Sequence, residues 1–225
     1  MQKIGIIGAM DMEVALIKDA LEGVQQTEVA QSTYYIGRLG GHQVVLTCCG
    51  IGKVNAAISA QVLCSVYGVD CIINTGIAGN LAADLKLGDV VLAQKVLYHD
   101  FDPDIFAQCP PHQKVLLPDS GLCDRIAAGL TALGANFRRG VVATGDEFVQ
   151  SSQRKADIIA RTGADCAEME GAAIGHVAAR NGVPFAVVRC LSDDADDAAE
   201  STYENFAAHT AQLGARLLID VIRGL

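Results

Sequence analysis

The sequence predicts an α/β protein, a single domain spanning residues 1–225 with a mixed central β-sheet flanked by helices. Short apolar, β-rich runs alternate with segments of helical periodicity along the whole chain. Most of these runs are continuously apolar rather than alternating, which is typical of strands covered on both faces. A chain of 225 residues that is 51% hydrophobic can also bury one large core.

Six apolar runs predict the strands. In chain order they are KIGIIGA (3–9), HQVVLTCCG (42–50), DCIINTG (70–76), GDVVLAQKVL (88–97), RRGVVATG (138–145) and PFAVVRCLS (184–192). Five segments carry helical spacing, and several end in glycine, the usual C-terminal stop. They are MEVALIKDALEG (12–23), KVNAAISAQVLCSVYG (53–68), DSGLCDRIAAGLTALG (119–134), EGAAIGHVAARNG (170–182) and NFAAHTAQLGARLLIDVIRGL (205–225).

Two further segments complete the predicted organisation. STYYIGRLGGHQVV (32–45) has β-like halves on either side of Gly40–Gly41 and predicts a hairpin. Residues 98–120 lack periodicity and hold four of the five prolines. A long loop of this kind within a compact domain is typical of a functional flap or a partner contact.

Composition excludes several classes of partner. The net charge of −9 disfavours nucleic acid and anionic membranes, which both need basic patches. No apolar run is long enough for a transmembrane helix, and Asp11 and Glu13 interrupt the first apolar run too early for a signal peptide. Eight scattered cysteines without a CxxC pair favour a reducing cytoplasm and no metal site. So apolar a chain also predicts a homodimer.

In open α/β sheets, ligands bind outside the carboxyl ends of the strands, so the residues there are site candidates. After the first strand, the spacing Gly5-x-x-Gly8 departs from the dinucleotide fingerprint GxGxxG, and acidic residues follow where a pyrophosphate would sit. A dinucleotide cofactor is therefore disfavoured. Asp11 and Glu13 either complement a helix dipole or take part in a site.

Two glycine-rich turns, CGIGKVNAA (49–57) and NTGIAGNL (74–81), follow apolar strands. Such turns allow backbone N–H groups to approach a ligand, although a simple tight turn explains each of them as well. No Walker A pattern is present. The substrate-binding candidates in these turns are Ile51, Ile77, Ala78 and Gly79.

The strand in VVRCLSDDADD (187–197) brings Arg189, Ser192 and Asp193 to its carboxyl end. The later acids are typical of a solvated loop, whereas Asp193 directly follows the strand and can be partly buried beside Arg189. Burial raises the pKa of a carboxyl group, and a neighbouring arginine opposes that rise. A carboxylic acid that keeps its proton can protonate a leaving group.

Glu168, Met169 and Glu170 stand before a helix of small residues, GAAIG. Capping explains one glutamate but not a methionine between two of them. A carboxylate can instead accept hydrogen bonds from two vicinal sugar hydroxyls while the methionine packs beneath the ring. Phe148, in TGDEFV (144–149), has a flat apolar ring that is suited to stacking on a planar base.

With these residues assembled, the chain resembles the 5′-methylthioadenosine/S-adenosylhomocysteine nucleosidases of the nucleoside phosphorylase superfamily. The resemblance covers nearly the whole chain. Its motifs are KIGIIGAM with Glu13, GIGKVNAA, INTGIAG, YHDFD, ATGDEFV, AEMEGAAIGHVA and VPFAVVRCLSDDAD. It implies hydrolysis of the N-glycosidic bond of an adenine nucleoside, without metal or organic cofactor, to adenine and a 5-thio-substituted ribose.

The resemblance also implies the catalytic roles. Asp193 matches the general acid at adenine N7, and Glu13 matches the group that activates water. Two separated carboxyl groups in opposite protonation states resemble those of an inverting glycosidase. Arg189 and Ser192 would help to position the water and Asp193.

The substrate-binding roles follow in the same way. Glu170 would hold the ribose hydroxyls above Met169, with Glu168 in the first helical turn or behind the substrate. Phe148 would stack on the base, whose edge the backbone of Val149 would contact. Tyr203 matches an aromatic residue that closes over the site.

Some positions depart from the family pattern. Ile77 stands where the family often has a serine that helps to hold the water. The loop after His99 is short and lacks a Gly-Tyr-rich stretch that commonly reaches into a partner subunit. Phe106 and Pro103 sit at offsets that match the pocket for the 5′-substituent. The preferred 5′-substituent therefore stays open.

Two alternatives belong to other functional classes. A phosphorylase of the same fold needs basic groups around its phosphate nucleophile, whereas a glutamate at position 13 favours water. A silent nucleoside-binding protein would have lost Glu13 or Asp193, and both are present.

Overall fold

The computed structural model describes residues 2–225, and within that range the chain forms nine strands and seven helices. The strands are β1 Lys3–Gly8, β2 Glu22–Val29, β3 Ser32–Leu39, β4 His42–Cys48, β5 Cys71–Asn80, β6 Val90–Tyr98, β7 Phe137–Thr144, β8 Cys166–Glu168 and β9 Phe185–Asp193. The helices are α1 Asp11–Ala20, α2 Lys53–Val62, α3 Pro103–Phe106, α4 Ser120–Ala132, α5 Ser152–Thr162, α6 Gly171–Asn181 and α7 Ala199–Gly224. A π-helical turn, Leu63–Tyr67, extends α2.

The strands form one mixed sheet in the order β2-β3-β4-β1-β5-β8-β7-β6-β9, and β5 also pairs with β9. Five strands therefore close on themselves, while β1, β4, β3 and β2 extend from β5 as an open sheet. The pairs β1–β4, β1–β5, β5–β9, β6–β7 and β7–β8 are parallel. Parallel pairing brings the carboxyl ends of several strands to one edge of the sheet, where ligand sites form in this architecture.

The core lies on both faces of the sheet, as continuously apolar strands require. One face packs Ile7 and Ile72 against Ala60 of α2 and Ile174 of α6. The other packs strand residues such as Ile4 and Ile6 against Ile17 of α1 and Leu218 of α7. The helices flank the sheet on both sides, so the predicted architecture is confirmed.

All six predicted strands are present, and β3 and β4 form the predicted hairpin. The sequence reading missed β2, because Glu22–Val29 is a polar and largely exposed edge strand. It also missed β8, only three residues long, and α5, in which Ile158 is the buried residue. The predicted helix over 12–23 ends at Ala20, where the chain turns into β2.

The loop over 98–120 is mostly irregular, as predicted, and contains the single-turn helix α3. Nowhere in residues 2–225 is a helix both long and apolar enough to span a membrane.

Candidate active site

A cavity of about 400 Å³ opens at the carboxyl ends of the strands. Its volume lies within the range of sites for small organic molecules. The residues that line it are Ala9, Met10, Glu13, Ile51, Ile77, Ala78, Gly79, Glu147, Phe148, Val149, Ala167, Glu168, Met169, Glu170, Arg189, Ser192, Asp193, Glu200, Tyr203 and Glu204. Fourteen of the fifteen predicted site residues are therefore brought together.

Phe106 is the exception, because it does not line the cavity of this chain. Its side chain is 4% exposed and packs edge-on against Tyr98 and His176, with ring centroids 5.2 and 4.9 Å apart. The short helix α3 starts at Pro103 after an Asp102 cap, and Phe106 is its last and buried residue. The offset in sequence did not reveal that turn.

Glu13 lies in the first turn of α1 and is 3% exposed. Its Oε2 accepts hydrogen bonds from the backbone N–H groups of Ala9 and Met10, at 2.7 and 3.0 Å. Its Oε1 accepts from the N–H of Ile77 at 2.9 Å. Both oxygens of Glu13 are therefore held by backbone N–H donors, which fix the orientation of its carboxyl group.

Gly76 allows Glu13 and Arg189 to approach each other. A Cβ atom at position 76 would collide with Nη1 of Arg189 and would lie 2.5 Å from Oε1 of Glu13. No side chain larger than hydrogen fits there while both groups keep their positions. Gly76 lies within β5, so the turn predicted for residues 74–81 is strand up to Asn80, and its glycine at position 76 serves the close approach of two charged groups.

Arg189 is 1% exposed and sits beneath the cavity. Its Nη2 donates to Asn74 Oδ1 at 2.6 Å, to Glu168 in a short ion pair, and to Glu170 Oε2 at 3.4 Å. Burial disfavours its charge, but Glu168, Glu170 and Glu13 outweigh that effect and raise the pKa of the guanidinium. Arg189 therefore neutralises buried glutamates.

This arrangement corrects the predicted role of Arg189 beside Asp193. Both residues lie on β9, but the hydrogen bonds of the Arg189 side chain go to Asn74, Ile77, Glu168 and Glu170. Its guanidinium extends toward β5 and β8, because two buried carboxylates there compete for it. The side chain of Asp193 instead accepts hydrogen bonds from Ser192 and Ala195.

Glu168 ends β8 and organises the start of α6. Its Oε2 accepts from the backbone N–H groups of Glu170 and Gly171, at 3.0 and 2.7 Å. The hydroxyl of Thr144 donates to its other oxygen and accepts from the N–H of Ala172 at 2.8 Å. Oε2 of Glu168 thus both caps the helix and accepts from Arg189, while its Oε1 accepts from Thr144. It lies at the end of a strand and not in the first helical turn.

Glu170 directs its carboxyl group into the cavity and is 3% exposed. Its Oε1 accepts from the backbone N–H of Gly52 at 2.9 Å. Burial raises the pKa of Glu170 to about 7, with Arg189 and the Gly52 N–H opposing the rise and Glu168 and Glu13 adding to it. The charge on Glu170 therefore depends on a few donors.

Asp193 is the last residue of β9 and is 1% exposed. The hydroxyl of Ser192 donates to its Oδ2 at 2.8 Å, and the N–H of Ala195 donates to its Oδ1 at 2.9 Å. Burial raises the pKa of Asp193 against these two hydrogen bonds, and nearby Asp194 and Asp196 raise it further. Asp193 therefore holds a proton more readily than an ordinary aspartate.

Aromatic and sulfur-containing side chains cover the cavity. The rings of Phe148 and Tyr203 meet edge-to-face with centroids 5.4 Å apart. The hydroxyl of Tyr203 donates to the sulfur of Met10 at 3.2 Å. Burial raises the pKa of Tyr203, and Glu13 and Asp193, which line the same cavity, raise it further.

Some functional residues were missed. Met10 directly follows the first glycine-rich segment and could have been found there. Asn74 lies within β5 and Thr144 ends β7, and a buried polar side chain at such a place signals a specific partner. Glu200 and Glu204 line the mouth one helical turn apart, yet in sequence they look like ordinary exposed acids.

Two comparisons with known proteins bear on this site. Residues 3–223 match the family model of the phosphorylase superfamily. A 5′-methylthioadenosine/S-adenosylhomocysteine nucleosidase from Oceanobacillus iheyensis is 37% identical over 226 residues, which cover 98% of each chain. The chain belongs to this nucleosidase family. The resemblance seen in the sequence motifs is thereby confirmed.

Solved structures agree with the nucleosidase family. An S-adenosylhomocysteine nucleosidase from Streptococcus pyogenes, in complex with 5-methylthiotubericidin, superposes with a TM-score of 0.94 at 35% identity, covering 100% of this chain and 97% of that one. A futalosine hydrolase from Helicobacter pylori superposes with a TM-score of 0.93 at 28% identity, covering 100% and 98%. The fold of the nucleosidase family thus serves at least two named activities.

Proposed function

We propose that this protein hydrolyses the N-glycosidic bond of 5′-thio-substituted adenosines, releasing adenine and the substituted ribose. The observation behind the proposal is a pair of buried carboxyl groups in one cavity with opposite tendencies. Glu13 accepts three backbone N–H bonds, whereas burial raises the pKa of Asp193. One group is suited to take a proton from water and the other to give a proton to the leaving base.

In the proposed reaction, Asp193 donates its proton to N7 of adenine as the bond between C1′ and N9 breaks. The bonding electrons leave with the base, and positive charge develops on C1′ and the ring oxygen. Water attacks C1′ from the opposite face and loses a proton to Glu13. Proton transfer through solvent then restores both carboxyl groups, so the reaction needs no metal or organic cofactor.

The ribose and the base have separate partners in this proposal. Glu170 accepts hydrogen bonds from the two ribose hydroxyls, and Met169 packs below the ring. Phe148 stacks on adenine, and Val149 meets its edge through the backbone. Ile51, Ala78 and Gly79 supply the remaining walls. Tyr203 closes over the sugar, in the cavity that both catalytic carboxyl groups also line.

The charge of the cavity favours hydrolysis over phosphorolysis. Seven carboxyl side chains line it, at positions 13, 147, 168, 170, 193, 200 and 204, against the single guanidinium of Arg189. Arg189 already pairs with Glu168 and Glu170. These carboxylates would repel a phosphate dianion, whereas they would not repel neutral water. Ile77 supplies only its N–H, which Glu13 accepts, so the water lacks the serine hydroxyl frequent in the family.

The candidate substrates differ in the group attached at the 5′ position. The relatives are named for methylthioadenosine and S-adenosylhomocysteine, and one structural neighbour is named for futalosine. We favour methylthioadenosine and S-adenosylhomocysteine, with 5′-deoxyadenosine as a further candidate. The higher identity of the relatives named for the first two supports this order. Release of thioribose would serve methionine salvage.

We also propose a cytoplasmic homodimer. An apolar surface around α2 and the loop after β6 supports the dimer. Its side chains Val54, Ile58, Phe101 and Ile105 are 69, 43, 44 and 53% exposed. Large apolar side chains exposed on neighbouring segments are a feature of protein interfaces. All eight cysteines are free, which fits a reducing compartment. Light scattering on the eluting protein tests the dimer, and the mass of one chain would contradict it.

The test of the proposed function is product analysis. The protein is incubated with methylthioadenosine in phosphate-free buffer and again with phosphate, and the products are separated by chromatography. Free adenine with unphosphorylated methylthioribose under both conditions supports hydrolysis. Turnover that depends on phosphate and yields a sugar 1-phosphate would make the protein a phosphorylase. Binding of methylthioadenosine without turnover would make it a silent nucleoside-binding protein.

A further inference from the structure

A cluster of charged residues ties together three loops beside the cavity. It consists of Lys53, which starts α2, Asp100, which follows β6, and Asp146, which follows β7; we refer to these three residues as the rim cluster. None of the three contacts the cavity directly. Asp146 nevertheless stands two residues before Phe148 in the loop proposed to bind the base, which Val149 completes.

The contacts within the rim cluster join side chains to backbone. Lys53 Nζ lies 2.6 Å from Asp100 Oδ2 and 3.5 Å from Asp146 Oδ2. The N–H of Asp146 donates to Asp100 Oδ2 at 2.9 Å, and the N–H of Lys53 donates to Asp146 Oδ1 at 2.8 Å. Burial opposes the charge on Asp100, but these donors outweigh it and lower its pKa. The loops are therefore joined by hydrogen bonds to ionised groups, which are stronger than neutral ones.

The rim cluster fixes the peptide next to it, which serves the site. Gly52 has a φ of 99°, and a Cβ atom there would lie 3.1 Å from Asp146 Oδ1. Its N–H donates to Oε1 of Glu170 at 2.9 Å. The Asp146 carboxylate thus packs on Gly52 and accepts from the following N–H. The direction of the Gly52 N–H toward Glu170 depends on that contact.

We propose that Asp146 is a positioning residue that fixes the ribose-binding carboxylate and the base-binding loop relative to each other. The proposal rests on the proposed function, since it assigns Glu170 to the ribose and Phe148 with Val149 to the base. One side chain reaches both: its carboxylate holds the Gly52–Lys53 turn, and its backbone belongs to the loop 145–149. Substrate binding therefore needs no separate ordering of the two halves of the site.

The charge on Glu170 gives this role a specific signature. The groups that face Glu170 are Arg189 from β9, Glu168 from β8, Glu13 from α1 and the thiol of Cys49 after β4. The Gly52 N–H is the donor among its neighbours that depends on Asp146. Weakening this donor disfavours the ionised form, so the pKa of Glu170 rises further. The acid limb of the pH profile for kcat/KM then moves to higher pH.

The experiment compares Asp146→Ala with Asp146→Asn, which keeps an oxygen able to accept from the N–H of Lys53. Asp124→Ala is the matched control, because it removes an exposed ion pair with Arg139 away from the cavity. Binding is measured by calorimetry with the 7-deaza analogue of methylthioadenosine, in which carbon replaces the N7 that Asp193 would protonate. Thermal unfolding confirms that each variant folds.

For Asp146→Ala, the proposal expects about tenfold weaker binding. It also expects the acid limb of the kcat/KM profile to move up by about half a pH unit. Asp146→Asn recovers most of both effects, and Asp124→Ala shows neither. An alanine variant that matches Asp124→Ala overturns the proposal, as does an asparagine variant as impaired as alanine. An unmodified protein that neither binds the analogue nor cleaves methylthioadenosine would instead refute the proposed function.

Discussion

At the floor of the cavity, Glu13, Glu170, Arg189 and Asp193 are each no more than 3% exposed, whereas at the mouth Phe148 and Ile51 are 41 and 52% exposed. The floor groups are held by backbone N–H donors and ion pairs that leave them little freedom. The mouth is formed by the loop after β7, which carries Phe148, and by the first turns of α7. The groups proposed to react are therefore fixed by the fold, while the exposed mouth can adapt to what enters the cavity.

This difference assigns separate tasks to the two regions. A preorganised floor stabilises the developing charges without having to reorganise during the reaction. An adaptable mouth can accept several substituents on a common nucleoside. Substitutions at the floor should accordingly reduce turnover of every substrate, and substitutions at the mouth should change the preference among substrates.

The largest expected effect is that of Asp193→Asn. The amide cannot protonate N7, so kcat for methylthioadenosine should fall by about 10³-fold. Binding of the nucleoside, measured by calorimetry, should persist, because the ribose and base partners are untouched. In the unmodified protein, activity should be lost as pH rises through the raised pKa of Asp193, since the acid then loses its proton. A variant with a near-normal rate would remove Asp193 from the role of acid.

Glu13→Gln should lower kcat by about 10²- to 10³-fold, because the amide cannot accept the proton of the attacking water. The amide NH₂ would also face at least one of the backbone N–H groups of Ala9, Met10 and Ile77, which reduces stability. A loss of turnover therefore counts as evidence only if thermal unfolding shows that the variant is folded. If the folded variant stays active, another group activates the water.

Glu170→Gln should weaken the ribose clamp, because hydrogen bonds to an ionised acceptor are stronger than those to an amide. The expected loss in kcat/KM is about thirtyfold for a ribonucleoside and much smaller for its 2′,3′-dideoxy counterpart. The measurement is the ratio of the two substrates in each protein. Equal losses for both would contradict the clamp.

Stability provides the control for Glu170→Gln. The pKa of Glu170 is raised from 4.5 to about 7, so its contribution to stability is present below about pH 4.5 and is lost as pH rises through about 7. Gln does not ionise, so the Tm of the variant minus that of the parent should increase between about pH 5 and pH 8. A variant that is less active yet more stable at the higher pH separates function from folding.

The smallest expected effect belongs to the mouth. Tyr203→Phe removes the hydroxyl that donates to the sulfur of Met10, a weak acceptor, and keeps the ring that meets Phe148. Turnover of methylthioadenosine should change by about two- to threefold. The ranking of substrates with different 5′-substituents should change by more than that. A uniform loss as large as that of Asp193→Asn would show that the mouth takes part in the chemistry.

The sequence predicted where Glu13 and Asp193 lie, for a physical reason. Floor residues such as Glu13 and Asp193 end or follow apolar strands, and strand ends in this architecture meet at one edge. The partners of Arg189 could not be predicted, because β8, with only three residues, gives no pattern and brings Glu168 to the guanidinium. The burial of Phe106 could not be predicted either, because the single-turn helix α3 lies in a segment without periodicity.

The most direct test of the account is whether cleavage depends on protonation of N7 by the buried Asp193. The unmodified protein is given methylthioadenosine and its 7-deaza analogue side by side, with turnover followed by chromatography and binding by calorimetry. The account predicts that the analogue binds and that only methylthioadenosine is cleaved, because the analogue has no nitrogen to receive the proton of Asp193. Cleavage of the analogue at a comparable rate would contradict acid catalysis at N7.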